Sequence, residues 1–149
     1  MDGSSSNNSI EDCVFSNNTS TTAGGAIYLF KPGYLTIVRC TFYNNNALDG
    51  SAIYYEETDL LKTLTLNSIS FDQNVAWENG AALFIDGSSK TIIEYCNFTN
   101  NSILQNDQNL GSVLFLNNPG NISITFSNFE NNEGILGACI YYSETSNTF

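Results

Sequence analysis

One phrase returns five times along this chain: a Phe, an Asn three residues later, then a Gly that opens a run of small and aliphatic residues. The first copy reads Phe15-Ser16-Asn17-Asn18, then Gly24-Gly25-Ala26-Ile27-Tyr28. The second reads Phe42-Tyr43-Asn44-Asn45, then Gly50-Ser51-Ala52-Ile53-Tyr54. The third and fourth are Phe71-Asp72-Gln73-Asn74 with Gly80-Ala81-Ala82-Leu83-Phe84, and Phe98-Thr99-Asn100-Asn101 with Gly111-Ser112-Val113-Leu114-Phe115. The last is Phe129-Glu130-Asn131-Asn132 with Gly137-Ala138-Cys139-Ile140-Tyr141. Successive Phe residues are 27, 29, 27 and 31 positions apart. A period in this range marks a solenoid, in which each repeat buries its apolar face only against its neighbours.

Counting from the Phe locates the strands. Seven residues before it stand Leu35, Leu64, Thr91 and Ile122; five before stand Ile37, Leu66, Ile93 and Ile124; two before stand Cys13, Cys40, Ile69, Cys96 and Ser127. Offsets −7 and −5 alternate as a strand does, and −2 and 0 alternate again. The odd step between −5 and −2 breaks the phase and predicts a bend between two short strands. The Asn at +3 predicts a turn, because Asn tolerates the left-handed backbone region. The Gly run predicts a third strand, with Ile27, Ile53, Leu83, Leu114 and Ile140 in register. Three short strands per turn, stacked parallel, describe an all-β parallel β-helix of about five coils. The repeats fall at approximately 13–39, 40–68, 69–95, 96–126 and 127–142, within one segment spanning 1–149. A β-sandwich fits the strand spacing but not the phase-locked Phe, Asn and Gly.

Composition narrows the function. The net charge is −11, with Lys31, Arg39, Lys62 and Lys90 as the fixed cations. Such a surface repels phosphate backbones and anionic membranes, so nucleic acid and direct membrane insertion are not expected. The chain has no His, which removes the commonest general base and zinc ligand. No run has the length of a membrane span, and the opening residues do not form a signal peptide. An exported chain would then be a mature piece of something longer. Asn-x-Ser/Thr triplets at Asn7, Asn17, Asn18, Asn97, Asn100 and Asn121 favour an extracellular or cell-surface glycoprotein.

The pairing of Phe-x-x-Asn with Gly-Gly-Ala-Ile resembles the repeat of chlamydial polymorphic outer membrane proteins, and of similar large surface proteins of protists and bacteria. The resemblance runs from about Cys13 to Tyr142. The first repeat holds Gly24-Gly25-Ala26-Ile27 intact, and later repeats relax the second Gly to Ser51, Ala81, Ser112 and Ala138. It implies a right-handed, pectin-lyase-like β-helix and a role in adhesion or surface display. It carries over no catalytic residue.

The columns of the repeat supply the candidate sites. Asn18, Asn45, Asn74, Asn101 and Asn132 should stack as an amide ladder. A sugar on Asn18 would break that stack, so glycans are expected among Asn17, Asn97, Asn100 and Asn121 instead. Tyr28, Tyr54, Phe84, Phe115 and Tyr141 form an aromatic stripe, expected outside, with Leu29 and its counterparts inside. The stripe is either covered within the molecule or is a packing or glycan-binding surface. Cys13 and Cys40 occupy one offset in adjacent coils, about 4.8 Å apart, within reach of a disulfide. An unbonded stack of small buried residues is the alternative, since Ile69 fills the same slot. Cys96 and Cys139 have no evident partner.

An enzyme on this fold would need clustered carboxylates, but the acidic residues Glu56, Glu57, Asp59, Asp72, Glu78, Asp86 and Asp107 fall mostly in variable loops. Carboxylates converging beside Arg39 would reopen that possibility. Glu56, Glu57 and Asp59 form either a calcium-ligand set or, more simply, a solvated loop. No cofactor, metal or catalytic residue is therefore assigned. The expected role is structural: a repeat module of an extracellular rod or filament, whose partners are copies of itself or flanking coils stacked end to end. A glycan-binding adhesin is the alternative, with glycans as partner, and a polysaccharide lyase or hydrolase comes third. The motivation for stacking is that no cap is recognisable at either end of a rod only about 24 Å long. Phe149 lies outside the repeat and is expected to matter little.

Overall fold

The structure, a computed structural model, describes residues 7–59, 61–87, 90–104 and 111–143. The chain winds through five coils. The first holds β1 (Asn7–Glu11), β2 (Val14–Ser16) and β3 (Ile27–Phe30); the second β4 (Tyr34–Val38), β5 (Thr41–Tyr43), β6 (Asn46–Asp49) and β7 (Ile53–Glu56). The third holds β8 (Thr63–Asn67), β9 (Ser70–Asp72), β10 (Val75–Asn79) and β11 (Leu83–Asp86). The fourth holds β12 (Lys90–Glu94), β13 (Asn97–Thr99), β14 (Ser102–Ile103) and β15 (Leu114–Asn117), and the fifth β16 (Asn121–Thr125), β17 (Asn128–Glu130) and β18 (Ile140–Ser143). Like strands pair in parallel from coil to coil. They form three five-stranded sheets, β1-β4-β8-β12-β16, β2-β5-β9-β13-β17 and β3-β7-β11-β15-β18, with a shorter fourth, β6-β10-β14.

The fourth sheet corrects the expectation of three strands per coil. It lies between the ladder Asn and the Gly, a stretch that carries no alternation long enough to read in one repeat. Stacking makes it a strand: Ala47, Ala76 and Ile103 turn inward and are buried. In the first coil only the isolated bridges Thr19–Asn46 and Ala23–Asp49 mark it.

The interior is built from columns. Leu35 and Leu64, then Ile37, Leu66 and Ile93, are buried in register. Phe15, Phe42, Phe71, Phe98 and Phe129 stack face to face, with ring centroids 4.9, 5.2, 4.8 and 4.5 Å apart. Beside them runs the amide column. The backbone and side-chain nitrogens of Asn18 both donate to Asn45 Oδ1, at 3.1 and 2.9 Å. The same pair of bonds joins Asn45 to Asn74, Asn74 to Asn101 and Asn101 to Asn132. From the second coil onward, each side-chain nitrogen also donates to the Phe carbonyl of the preceding coil, as Asn74 Nδ2 does to Phe42 O at 3.0 Å.

The left-handed residue is not the ladder Asn but the one before it: Asn17, Asn44, Gln73, Asn100 and Asn131, with φ between 52° and 58°. A second left-handed residue makes the bend read from the phase break: Asp12, Arg39, Ser68, Tyr95 and Phe126. The two turns bracket each three-residue strand of the second sheet, which explains its shortness. Gly50 and Gly80 also have positive φ, 58° and 64°, and a Cβ there would sit 2.6 and 2.8 Å from the Ile53 and Leu83 carbonyl oxygens. Only Gly meets both demands.

One core residue is imperfect. Tyr55 is fully buried and its hydroxyl has no hydrogen-bond partner. Burial, and then the Glu57 charge, raise its pKa. Tyr55→Phe removes the unsatisfied group while keeping the ring, and is expected to stabilise the fold by about 1 kcal/mol. A lowered thermal midpoint would show that the hydroxyl is partnered in solution.

Candidate functional site

Beyond the core, the side chains of the third sheet sort as the sequence suggested. Ile27 and Leu29 pack toward the interior, and Tyr28 points out with 52% of its surface exposed. The stripe Tyr28, Tyr54, Phe84, Phe115 and Tyr141 is a single stack, with centroids 5.1, 4.8, 4.9 and 4.8 Å apart. Its exposure is uneven: Tyr28 is open, Tyr54, Phe84 and Tyr141 are half-buried, and Phe115 is 8% exposed.

At its open end the stripe walls a groove. Thr22, Ala23, Tyr28, Leu48, Asp49 and Tyr54 line a space of 530 Å³. A second space of 350 Å³, between Thr19–Thr21, Asn46, Leu48 and Trp77, adjoins it across Leu48. Trp77 is 53% exposed, and its indole N–H donates to Asn46 Oδ1 at 3.3 Å. The aromatic walls come from two faces of one corner: Tyr28 and Tyr54 from the third sheet, Trp77 from the fourth. Asp49 is part of the lining, and Asn79 donates to its Oδ1 from both backbone and side-chain nitrogens, at 3.1 and 3.0 Å. Desolvation raises the pKa of Asp49, against the lowering effect of the Asn79 side chain. The Tyr54 phenol is pushed up to about 12, by burial first and then by Asp86 and Glu56. A groove lined by aromatic side chains, threonine and serine hydroxyls and one partly desolvated carboxylate suits a ligand with an apolar face and a hydroxylated edge.

The sequons lie on the outside. Asn17, Asn97, Asn100 and Asn121 are all exposed. Asn17 Oδ1 accepts from Asn44 at 2.7 Å and Asn100 Nδ2 donates to Asp72 at 2.9 Å, both solvent-facing bonds. Asn18 also reaches solvent, but its side-chain nitrogen is committed to Asn45. Glycopeptide mass spectrometry of protein secreted from a eukaryotic host is expected to find sugars among Asn17, Asn97, Asn100 and Asn121. An occupied Asn18 would mean that the ladder gives up its first rung.

Cys13 and Cys40 are free thiols, as are Cys96 and Cys139, so of the two readings of the Cys13–Cys40 pair the structure holds the unbonded stack. Stacked in register, the first two point the same way, and each sulfur turns to a carbonyl instead: Cys13 to Glu11 O at 3.0 Å, Cys40 to Val38 O at 3.3 Å. Burial raises the pKa of Cys40, and pushes that of Cys96 up to about 11.

Arg39, for which the sequence named no partner, grips Asp12 with both prongs (Nε–Oδ1 2.6 Å, Nη2–Oδ2 2.7 Å) and reaches Glu11 at 3.4 Å. Two carboxylates therefore do meet this arginine. They meet it as an exposed ion pair that holds Asp12 below its usual carboxylate range, and Asp12 and Glu11 do not line the recess beside Arg39.

The acidic loop is not simply solvated. Glu57 is 4% exposed and accepts the Gly33 and Asp59 N–H groups at 3.1 and 2.9 Å, tying two coils together. Asp59 pairs with Lys62 at 3.6 Å. Among the described residues no three His, Cys, Asp or Glu side chains gather to hold a metal ion. Asp107 and Phe149 lie outside the described residues.

Parallel coils stacked in register make a β-solenoid, and the chain belongs to the right-handed β-helix family: all of residues 1–149 match the right-handed β-helix region. No curated protein and no solved structure matches the chain. No helix of the described residues is long and apolar enough to cross a membrane.

Proposed function

We propose that this chain is a structural module of an extracellular β-helical rod, and that its end coils are continued by further coils of the same kind. One observation carries this reading: the two ends of the stack are complementary. The outer strands β1, β2 and β3 have five, three and four residues, and β16, β17 and β18 have the same lengths. Core-column residues stand half-buried at both ends, Ile10, Phe15, Ile27 and Leu29 at one, Ile122, Ile124 and Phe129 at the other. The amide column is polar along its length: every Asn-to-Asn bond runs from the N–H groups of one coil to the Oδ1 of the next. Its first Oδ1 faces one end and its last N–H the other, so joining end to end extends it without reversal. Head-to-tail contacts of this sort propagate as filaments. The exposed sequons and poverty in basic charge support placement outside the cell.

Sedimentation at tens of micromolar tests the reading. The isolated chain is expected to self-associate, and Ile124→Lys, which places a charge on the end face, is expected to return it to monomer. A wild-type monomer at that concentration would sink the proposal.

The aromatic groove favours a second reading, a glycan-binding adhesin segment. Its test is loss of glycan-array binding in Trp77→Ala. A lyase or hydrolase is third, supported by fold family alone.

A further inference from the structure

At the corner between the first and second sheets each coil sets one left-handed residue: Asp12, Arg39, Ser68, Tyr95 and Phe126, with φ between 51° and 56°. A shared backbone conformation in stacked coils sends their side chains the same way. They form an outward column with one rung per coil. Four rungs are filled in pairs. Arg39 forks onto Asp12, and Tyr95 stacks on Phe126 at 5.0 Å and 9°. The rung between the pairs is Ser68, a hydroxymethyl where its neighbours carry long or flat groups.

The missing rung leaves a recess of 350 Å³, lined by Arg39, Thr41, Ser68, Ser70, Tyr95 and Asn97 among others. Its walls come from coils two steps apart, about 9.6 Å along the axis. An occupant midway would sit at the spacing that stacked rings in this molecule adopt, 4.5 to 5.2 Å. The slot therefore takes one flat ring and no more.

Its lining selects the ring. Tyr95, 54% exposed, offers an aromatic face. Thr41 and Ser70 offer hydroxyls and Asn97 an amide, and the Ser68 hydroxyl, which donates to Asn67 Oδ1 at 2.7 Å, can still accept. A bare aromatic ring would desolvate these groups without bonding them. A ring with C–H faces and a hydroxylated edge satisfies both. An acidic sugar is disfavoured, because Arg39 is already engaged by Asp12 and Glu11 and the chain carries a charge of −11.

We propose that the Ser68 recess seats one neutral pyranose ring, stacked between Tyr95 and Arg39. This site is at a different corner of the coil from the Tyr28–Trp77 groove and does not depend on the stacking reading above. The ring has two possible sources: a free glycan, or the first sugar of a chain attached to Asn97, which lines the recess and heads the sequon Asn97-Phe98-Thr99.

Two arms of one NMR experiment distinguish them. In unglycosylated protein from a bacterial host, methyl N-acetyl-β-glucosaminide is expected to shift the Ser68 and Asn97 amides and the Tyr95 ring, saturating at roughly millimolar concentration. Ser68→Tyr fills the rung; the column already accepts rings at φ 54° and 52° in Tyr95 and Phe126. That variant should lose the response while keeping its thermal midpoint. Tyr95→Ala should weaken the response about tenfold or more, and serves if Ser68→Tyr does not fold. In protein from a glycosylating host, a sugar linked to Asn97 should give proton contacts to the Tyr95 ring and block the response to added glycoside, which Asn97→Gln restores. The proposal is overturned if neither the free nor the linked sugar reaches Tyr95, or if folded Ser68→Tyr responds as the wild type does.

Discussion

Asn74→Ala is expected to destabilise the protein by about 2–5 kcal/mol, although it removes only a small polar side chain. Asn74 is fully buried. Its Oδ1 accepts from both nitrogens of Asn45, at 3.1 and 3.0 Å, and its Nδ2 donates to Phe42 O and Asn101 Oδ1, both at 3.0 Å. Alanine takes the partner from the Asn45 backbone N–H and the Phe42 carbonyl in a dry column, each costing on the order of 1–3 kcal/mol, while Asn101 Oδ1 keeps the Asn74 backbone N–H and Asn45 Nδ2 keeps Phe15 O. Asn128→Ala is the control. Asn128 is exposed and its side chain donates to Glu130 at 3.4 Å, so its loss should fall within about 0.5 kcal/mol. Urea denaturation of the two variants makes the comparison. A cost below about 1 kcal/mol for Asn74→Ala would mean that water replaces the lost bonds and that the column is not dry.

The second large effect belongs to the ring column. Phe71 is fully buried between Phe42 and Phe98, at 5.2 and 4.8 Å. Phe71→Ala removes the side chain and both stacking contacts, and is expected to cost about 3–5 kcal/mol. Val14, 72% exposed on the outer face of β2, provides the comparison, and Val14→Ala should be close to neutral. Equal effects at the two positions would contradict the register of the second sheet. The loss in Phe71→Ala should also bring urea midpoints read by aromatic and backbone signals down together, because each coil depends on its neighbours for its core.

The columns that share a residue type were legible in the sequence. Phe at one offset, Asn three later and Gly at the head of a strand each name a physical demand that few residues meet. Columns held by backbone conformation alone were not. Asp12, Arg39, Ser68, Tyr95 and Phe126 share only a left-handed φ, and nothing in their chemistry announces it. The fourth sheet was missed because its inward residues, Ala47, Ala76 and Ile103, are few and mostly small. The groove was half legible. Tyr28 and Tyr54 stood out by offset, but Trp77 belongs to another sheet and meets them only through the fold. Glu57 was misread because its burial depends on Gly33, a coil away.

The coils differ in length, 27 to 31 residues from Phe to Phe, yet ring spacing stays between 4.5 and 5.2 Å. Hydrogen bonding, not residue count, sets the pitch. The molecule thus behaves as a graduated scale. Whatever a corner carries, whether loop, sugar or docking side chain, is held at whole multiples of one fixed interval. Lengthening a corner alters what is displayed without moving the marks on either side.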